Sequence, residues 1–166
     1  FYWVVRSTRQ LLLQIIPLSE PSEELLMFRL EQGPPPGEAS VGLVTRVRDG
    51  LVLDVDVTRG IATVDLSGEV VNSMPRDDPP LAIAQIVLSL TRFPGIGQVL
   101  FTRDGVPVDV PLPPNDELSP VGEPVAYEDF EILLVEGPSS TTTTTTTPPP
   151  ATEPPGTDAP PAVTAP

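Results

Sequence analysis

The sequence predicts an α+β domain. Its small mixed, mainly antiparallel sheet is covered by two helices and followed by a disordered C-terminal tail. Three observations predict this. Strand-like runs come in neighbouring pairs, two of them joined at Arg59-Gly60 and Asp104-Gly105. Two helix-like stretches with start and stop signals separate those pairs. From Gly137-Pro138 onward the chain becomes Thr/Pro-rich, with no aromatic residue and a single branched aliphatic, Val163. The domain is therefore placed at 1–137 and the tail at 138–166.

Tyr2–Val5 and Leu11–Leu18 read as two strands joined by a polar turn at Arg6–Arg9. The stretch PSEELLMFRLEQG reads as a helix. Ser19 or Ser22 caps it, and Glu20, Glu23 and Glu24 suit the positive end of its dipole. Gly33 and Pro34–Pro36 stop it, and Leu25, Leu26, Phe28 and Leu30 give it an apolar face. Residues 50–66 alternate, with Leu51, Leu53, Val55 and Val57 on one face and Asp54 and Asp56 on the other. Arg59-Gly60 turns the chain back along Ile61–Leu66, bringing Asp65 to or near the register of the other two acids.

Asp77-Asp78-Pro79-Pro80 opens the second helix, since Asp can cap and Pro fits the first turn. Leu81–Arg92 is apolar nearly all round, which predicts a largely buried helix. Gln85, Ser89 and Arg92, spaced four and then three apart, share one side of it. They read either as the solvent edge of a core helix or as part of a binding surface. Gln98–Thr102 and Val106–Val110 form a second hairpin about Asp104-Gly105, and Val125–Leu134 supplies a last element.

Composition excludes much chemistry. The chain has no Cys, no His and no Lys, and all nine basic residues are Arg. The usual zinc, iron–sulfur and haem ligands are thereby missing, as are Ser-His and Cys-His pairs and the P-loop lysine. A formal charge of −14 with no basic stripe argues against nucleic acid and anionic lipid surfaces as partners. No catalytic, cofactor-binding or metal-binding residues are expected. Gly95-Ile96-Gly97 follows a helix and precedes a strand, the reverse of the dinucleotide fingerprint. A phosphate there would meet the negative end of the helix dipole, so the stretch reads as a helix stop. The candidate interaction residues are Gln85, Ser89, Arg92, Asp54, Asp56 and Asp65. The three acids lack the spacing of a calcium loop and read first as a solvated strand face. A paired-carboxylate hydrolase would need two of them in one pocket, about 5–10 Å apart.

The tail cannot bury enough apolar surface to offset its ordering entropy, and its prolines favour extended polyproline II. It reads as a solvated end or an O-glycosylated stalk, either of which suits an extracytoplasmic protein. No basic-then-apolar leader heads the chain, and no 18-residue apolar run occurs. Composition leaves open whether a targeting segment once preceded Phe1.

Several stretches together resemble the GerMN domain of sporulation and germination proteins and of bacterial envelope lipoproteins. They are Val64-Asp65-Leu66-Ser67, Ala84-Gln85-Ile86-Val87, Ser89-Leu90-Thr91, Pro94-Gly95-Ile96 and Asp104-Gly105. The resemblance covers roughly 1–137 and is most specific over 61–110. Gly42-Leu43-Val44-Thr45-Arg46-Val47-Arg48 departs from it by lacking a proline, so the loop at 45–50 is expected to differ. The resemblance implies a fold akin to ring-building-motif domains. It also implies a non-catalytic envelope protein, held to the membrane by an N-terminal lipid anchor that this chain does not contain. The expected partners are envelope proteins or a wall polymer, with homo-oligomers as a further option. The alternative is a module that binds wall glycan or a small envelope ligand.

Overall fold

A computed structural model describes residues 1–18 and 21–135. The expected tail, the end of the expected domain at 136–137, and Ser19 and Glu20 of the first helix's approach lie outside the described residues. The strands are β1 (Tyr2–Val5), β2 (Leu11–Leu13), β3 (Leu43–Val44), β4 (Val52–Thr58), β5 (Ile61–Leu66), β6 (Gln98–Arg103), β7 (Val106–Pro107), β8 (Pro111–Leu112), β9 (Glu117–Leu118) and β10 (Val125–Ala126). The helices are α1 (Glu23–Gln32), α2 (Gly68–Ser73) and α3 (Asp78–Leu90). The class is α+β, as expected, but the strands divide among separate sheets. One runs β2-β1-β3. A larger one runs β10-β6-β5-β4, with β7 also on β6, and β8 pairs with β9 alone.

The β4–β5 hairpin turns through Arg59 (φ 53°) and Gly60 (φ 86°), the left-handed pair that a two-residue hairpin requires. Asp104 (φ 50°) and Gly105 (φ 79°) do the same between β6 and β7. The larger sheet is mixed because β5 and β6 run parallel, in register from Ile61↔Gln98 to Leu66↔Arg103. Parallel neighbours need a long crossover, which α2 and α3 provide. Helix α2 is not among the elements the sequence predicts. It is six residues long, too short for a periodic pattern, and is marked chiefly by the Ser67 side chain accepting from the Val70 amide.

Four expectations are corrected. The strand expected over Leu11–Leu18 stops at Leu13, and the one expected over Val106–Val110 stops at Pro107. In α1, capped by Ser22, the buried residues are Leu26, Met27 and Leu30, whereas Phe28 is half exposed. Positions 26, 27 and 30 form one stripe at helical spacing, and Phe28 points away from it. In β4 the register slips between Val52 and Asp54, so Val52 rather than Leu53 stands opposite buried Leu66. This β-bulge turns Leu53 out to solvent and breaks the strict alternation. The Val125–Leu134 element is a two-residue strand on β6 followed by two short 3-10 turns, Tyr127–Asp129 and Glu131–Leu133.

Helix α3 packs against α1, β1 of the small sheet, β6 of the large sheet and β8. Elements on several sides explain why it is buried all round, Leu81 through Leu90. It ends at Thr91, whose hydroxyl donates to the Val87 carbonyl at 2.8 Å. Gly95 (φ 90°) then turns the chain, and the Gly97 amide donates to the Gly60 carbonyl at 2.9 Å. Gly95-Ile96-Gly97 is thus a helix exit tied to the hairpin turn, and a Cβ on Gly60 would sit 3.2 Å from the Gly95 oxygen.

Candidate interaction site

The row on α3 divides. Gln85 and Ser89 are buried, so neither forms the solvent edge of the helix, and Ser89 lines the floor of a cleft beside Arg92. The reason is that β1 lies over α3 at Ser89 and the 45–46 loop lies over it at Gln85. Gln85 accepts the Arg46 amide at 2.9 Å and donates to the Thr45 hydroxyl at 3.2 Å. Ser89 accepts the Tyr2 amide at 3.0 Å, tying β1 to the helix. Buried polar groups need such partners, and here the partners bind distant segments together. Arg92, just past the helix end, is the exposed member of the row. Its Nε and Nη2 donate to the Tyr2 hydroxyl at 3.1 and 2.9 Å. The guanidinium carbon lies 5.8 Å from the Tyr2 ring centre and 5.4 Å from that of Tyr127, at cation–π distance. The Tyr2 hydrogen bond above all holds the Arg92 pKa above the usual arginine range. Burial, followed by the hydrogen bond to Tyr2, pushes the Tyr127 phenol up to about 12.

The three acids do share one face of the hairpin, with Asp54 directly opposite Asp65. Asp54 and Asp56 are exposed, and Asp56 accepts the Thr58 hydroxyl at 2.9 Å. Asp65 is occupied structurally. Its Oδ1 accepts the Thr102 hydroxyl at 2.6 Å and the Gly105 amide at 2.9 Å, pinning the second hairpin turn. The acids therefore stand on an open strand face rather than in a pocket. This is not the enclosed pair that a glycosidase uses. Among the described residues no group of three or more acids is disposed to hold a metal ion.

The recesses lie elsewhere, and the sequence reading did not find them. A cleft of about 440 Å³ opens between Phe1, Leu13, Ile15, Ile16, Phe93 and Arg92. A second, of about 390 Å³, adjoins it through Phe1, Ile16 and Leu18 and is lined by Trp3, Phe28, Arg29 and Pro34–Pro36. Phe1 and Trp3 stack at 5.6 Å between ring centres. Ile15 is 86% exposed at the lip of the first cleft, and Phe28 is 52% exposed at the second. Phe1, residues 13–18, 28–36 and 92–94 are far apart in sequence, and no local pattern brings them together. The one signal available was the cluster of prolines at 17, 21, 34–36 and 94. Among the described residues no helix is long and apolar enough to cross a membrane.

Residues 1–109 match the family model described as Germane, sporulation and spore germination. The fold is similar to the tandem GerMN domains of the sporulation protein GerM from Bacillus subtilis. Identity is 22%, the TM-score is 0.52, and the match covers 77% of this chain and 45% of that one. It is also similar to a structure titled a lipoprotein from Clostridium perfringens, at 23% identity and a TM-score of 0.50, with 69% of this chain and 73% of that one covered. This chain thus spans less than half of the tandem-domain structure. No curated protein matches the sequence.

Proposed function

The chain belongs to the Germane family of sporulation and spore germination, and from that premise we propose that it is an assembly or interaction module of the cell envelope rather than a catalyst. The observation that carries this is the pair of adjoining apolar clefts with protruding Ile15 and Phe28 on a chain of charge −14. Exposed apolar surface rimmed by polar residues marks a contact surface. Beside it, Gln85, Ser89 and Asp65, three of the candidate interaction residues, are engaged in hydrogen bonds that hold the fold. The fold similarity to a protein titled a lipoprotein supports an extracytoplasmic place at the membrane, reached through an N-terminal lipid anchor. The partner is an envelope protein or a second copy of this chain, not nucleic acid.

Crosslinking in intact cells followed by purification of the full-length protein tests this reading. Recovery of specific envelope proteins, with the protein itself in the membrane fraction, is the expected result. A freely diffusing protein that yields no envelope adduct would contradict it. A wall-glycan ligand on the open face of Asp54 and Asp56 is the second reading, favoured by two exposed carboxylates side by side on one strand. Retention on purified peptidoglycan that is lost in Asp56→Ala would move the function there.

A further inference from the structure

The described residues lining the two clefts include no Asp or Glu, although the chain carries 23 acidic residues against nine arginines. The charged side chains that do line them are Arg92 in one and Arg29 in the other. Arg92 forms no ion pair among the described residues. Its guanidinium is nonetheless held in place by Tyr2 and flanked by two rings, so little side-chain freedom is left to lose on binding. Of its five N–H donors, two are used by the Tyr2 hydroxyl. A fixed cation with donors unused among the described residues, at the edge of an apolar recess whose described lining holds no acid, is complementary to an apolar group bearing one anion.

We infer that the Arg92 cleft receives an apolar segment of a partner protein that carries one carboxylate. The apolar side chains would lie against Phe1, Leu13, Ile15 and Phe93, and the carboxylate would take the remaining Arg92 donors. This rests on the interaction-module reading and names the chemistry of its partner. A protein segment is favoured over an anionic lipid surface, because a net charge of −14 repels a bilayer of the same sign over a much larger area than one arginine can offset. A cleft of about 440 Å³ is in the range that holds a compact ligand, about 300–1,000 Å³.

The test uses acetyl-trileucine as the free acid and as its C-terminal amide, titrated into the isotope-labelled full chain and followed by amide chemical shifts. The acid is expected to bind about threefold to fivefold more tightly than the amide, the scale of one exposed ion pair. Shifts should centre on Leu13, Ile15, Ile16 and Phe93. In Arg92→Gln the acid should lose its advantage while the amide binds as before. Ile15→Ser, at a side chain 86% exposed and so without cost to the fold, should weaken both peptides. Should Arg92→Gln not fold, Ile15→Asp replaces it: a carboxylate placed in the cleft should weaken the acid more than the amide. Equal binding of acid and amide, or shifts centred elsewhere, overturns the inference. So does binding to phosphatidylglycerol vesicles that is lost in Arg92→Gln, which would assign the cleft to a lipid headgroup. Envelope adducts that persist in cells carrying Ile15→Ser would sink this inference alone and leave the interaction-module reading standing.

Discussion

Two polar rows look alike in the sequence and end in opposite places. Gln85, Ser89 and Arg92 repeat at helical spacing, and Asp54 and Asp56 repeat at strand spacing with Asp65 across from them. The first row is mostly interior, joining α3 to β1 and to the 45–46 loop. The second is mostly solvated, with only Asp65 committed, to a turn. Periodicity tells which side chains share a side of their own element. What lies over that side depends on elements distant in sequence. Here β1 and the 45–46 loop cover that side of α3, whereas β4 is an edge strand whose acidic face stays open.

Stability measurements should separate the rows. Gln85→Leu should cost about 2–3 kcal/mol in denaturant unfolding, because the half-buried Arg46 amide loses its acceptor, while the Thr45 hydroxyl keeps its bonds to Val47. Ser89→Ala should cost about 1–2 kcal/mol, by stranding the Tyr2 amide. A loss below about 0.5 kcal/mol in both would mean that water reaches this side of α3 and the contrast between the rows is false. Asp65→Asn should cost about 1 kcal/mol, placing it between the rows, since it weakens the charged acceptor of Thr102 and Gly105. Asp54→Asn should do the reverse. It removes a like charge directly opposite Asp65 and should stabilise by about 0.2–0.5 kcal/mol at low salt, an effect that fades as salt rises.

A further contrast comes from pH. The raised Tyr127 pKa means that the folded state holds its proton where the unfolded chain has released it. That contribution is complete below the ordinary tyrosine value of about 10 and is lost as pH rises towards about 12. The melting temperature should therefore fall across that window, and fall less in Tyr127→Phe. An identical fall in the variant would remove the Tyr2–Arg92–Tyr127 cluster as its cause.

Both hairpins, both long helices and the helix stop at Gly95 were legible in the sequence, because each is written in adjacent residues: a turn dipeptide, a cap, a proline. The bulge at Leu53 was not, since a slip of one residue is decided by which side chain fits opposite Leu66. Nor was the parallel pairing of β5 with β6, which depends on how α2 and α3 carry the chain across the sheet. The candidate site divides the same way. Arg92 was singled out for its spacing, but its significance comes from Tyr2 and Tyr127, about ninety residues before it in one case and some thirty after it in the other. The apolar clefts, made of four separated segments, had no signature beyond their prolines.

The apolar clefts, not the acidic strand face, are the surface proposed to meet the partner. A photo-reactive amino acid placed at Ile15 or at Asp56, both exposed, in otherwise unchanged full-length protein tests it in living cells. Discrete protein adducts from position 15 and none from position 56 are the predicted result. Adducts from position 56 with none from position 15 would contradict it and move the contact surface to the hairpin.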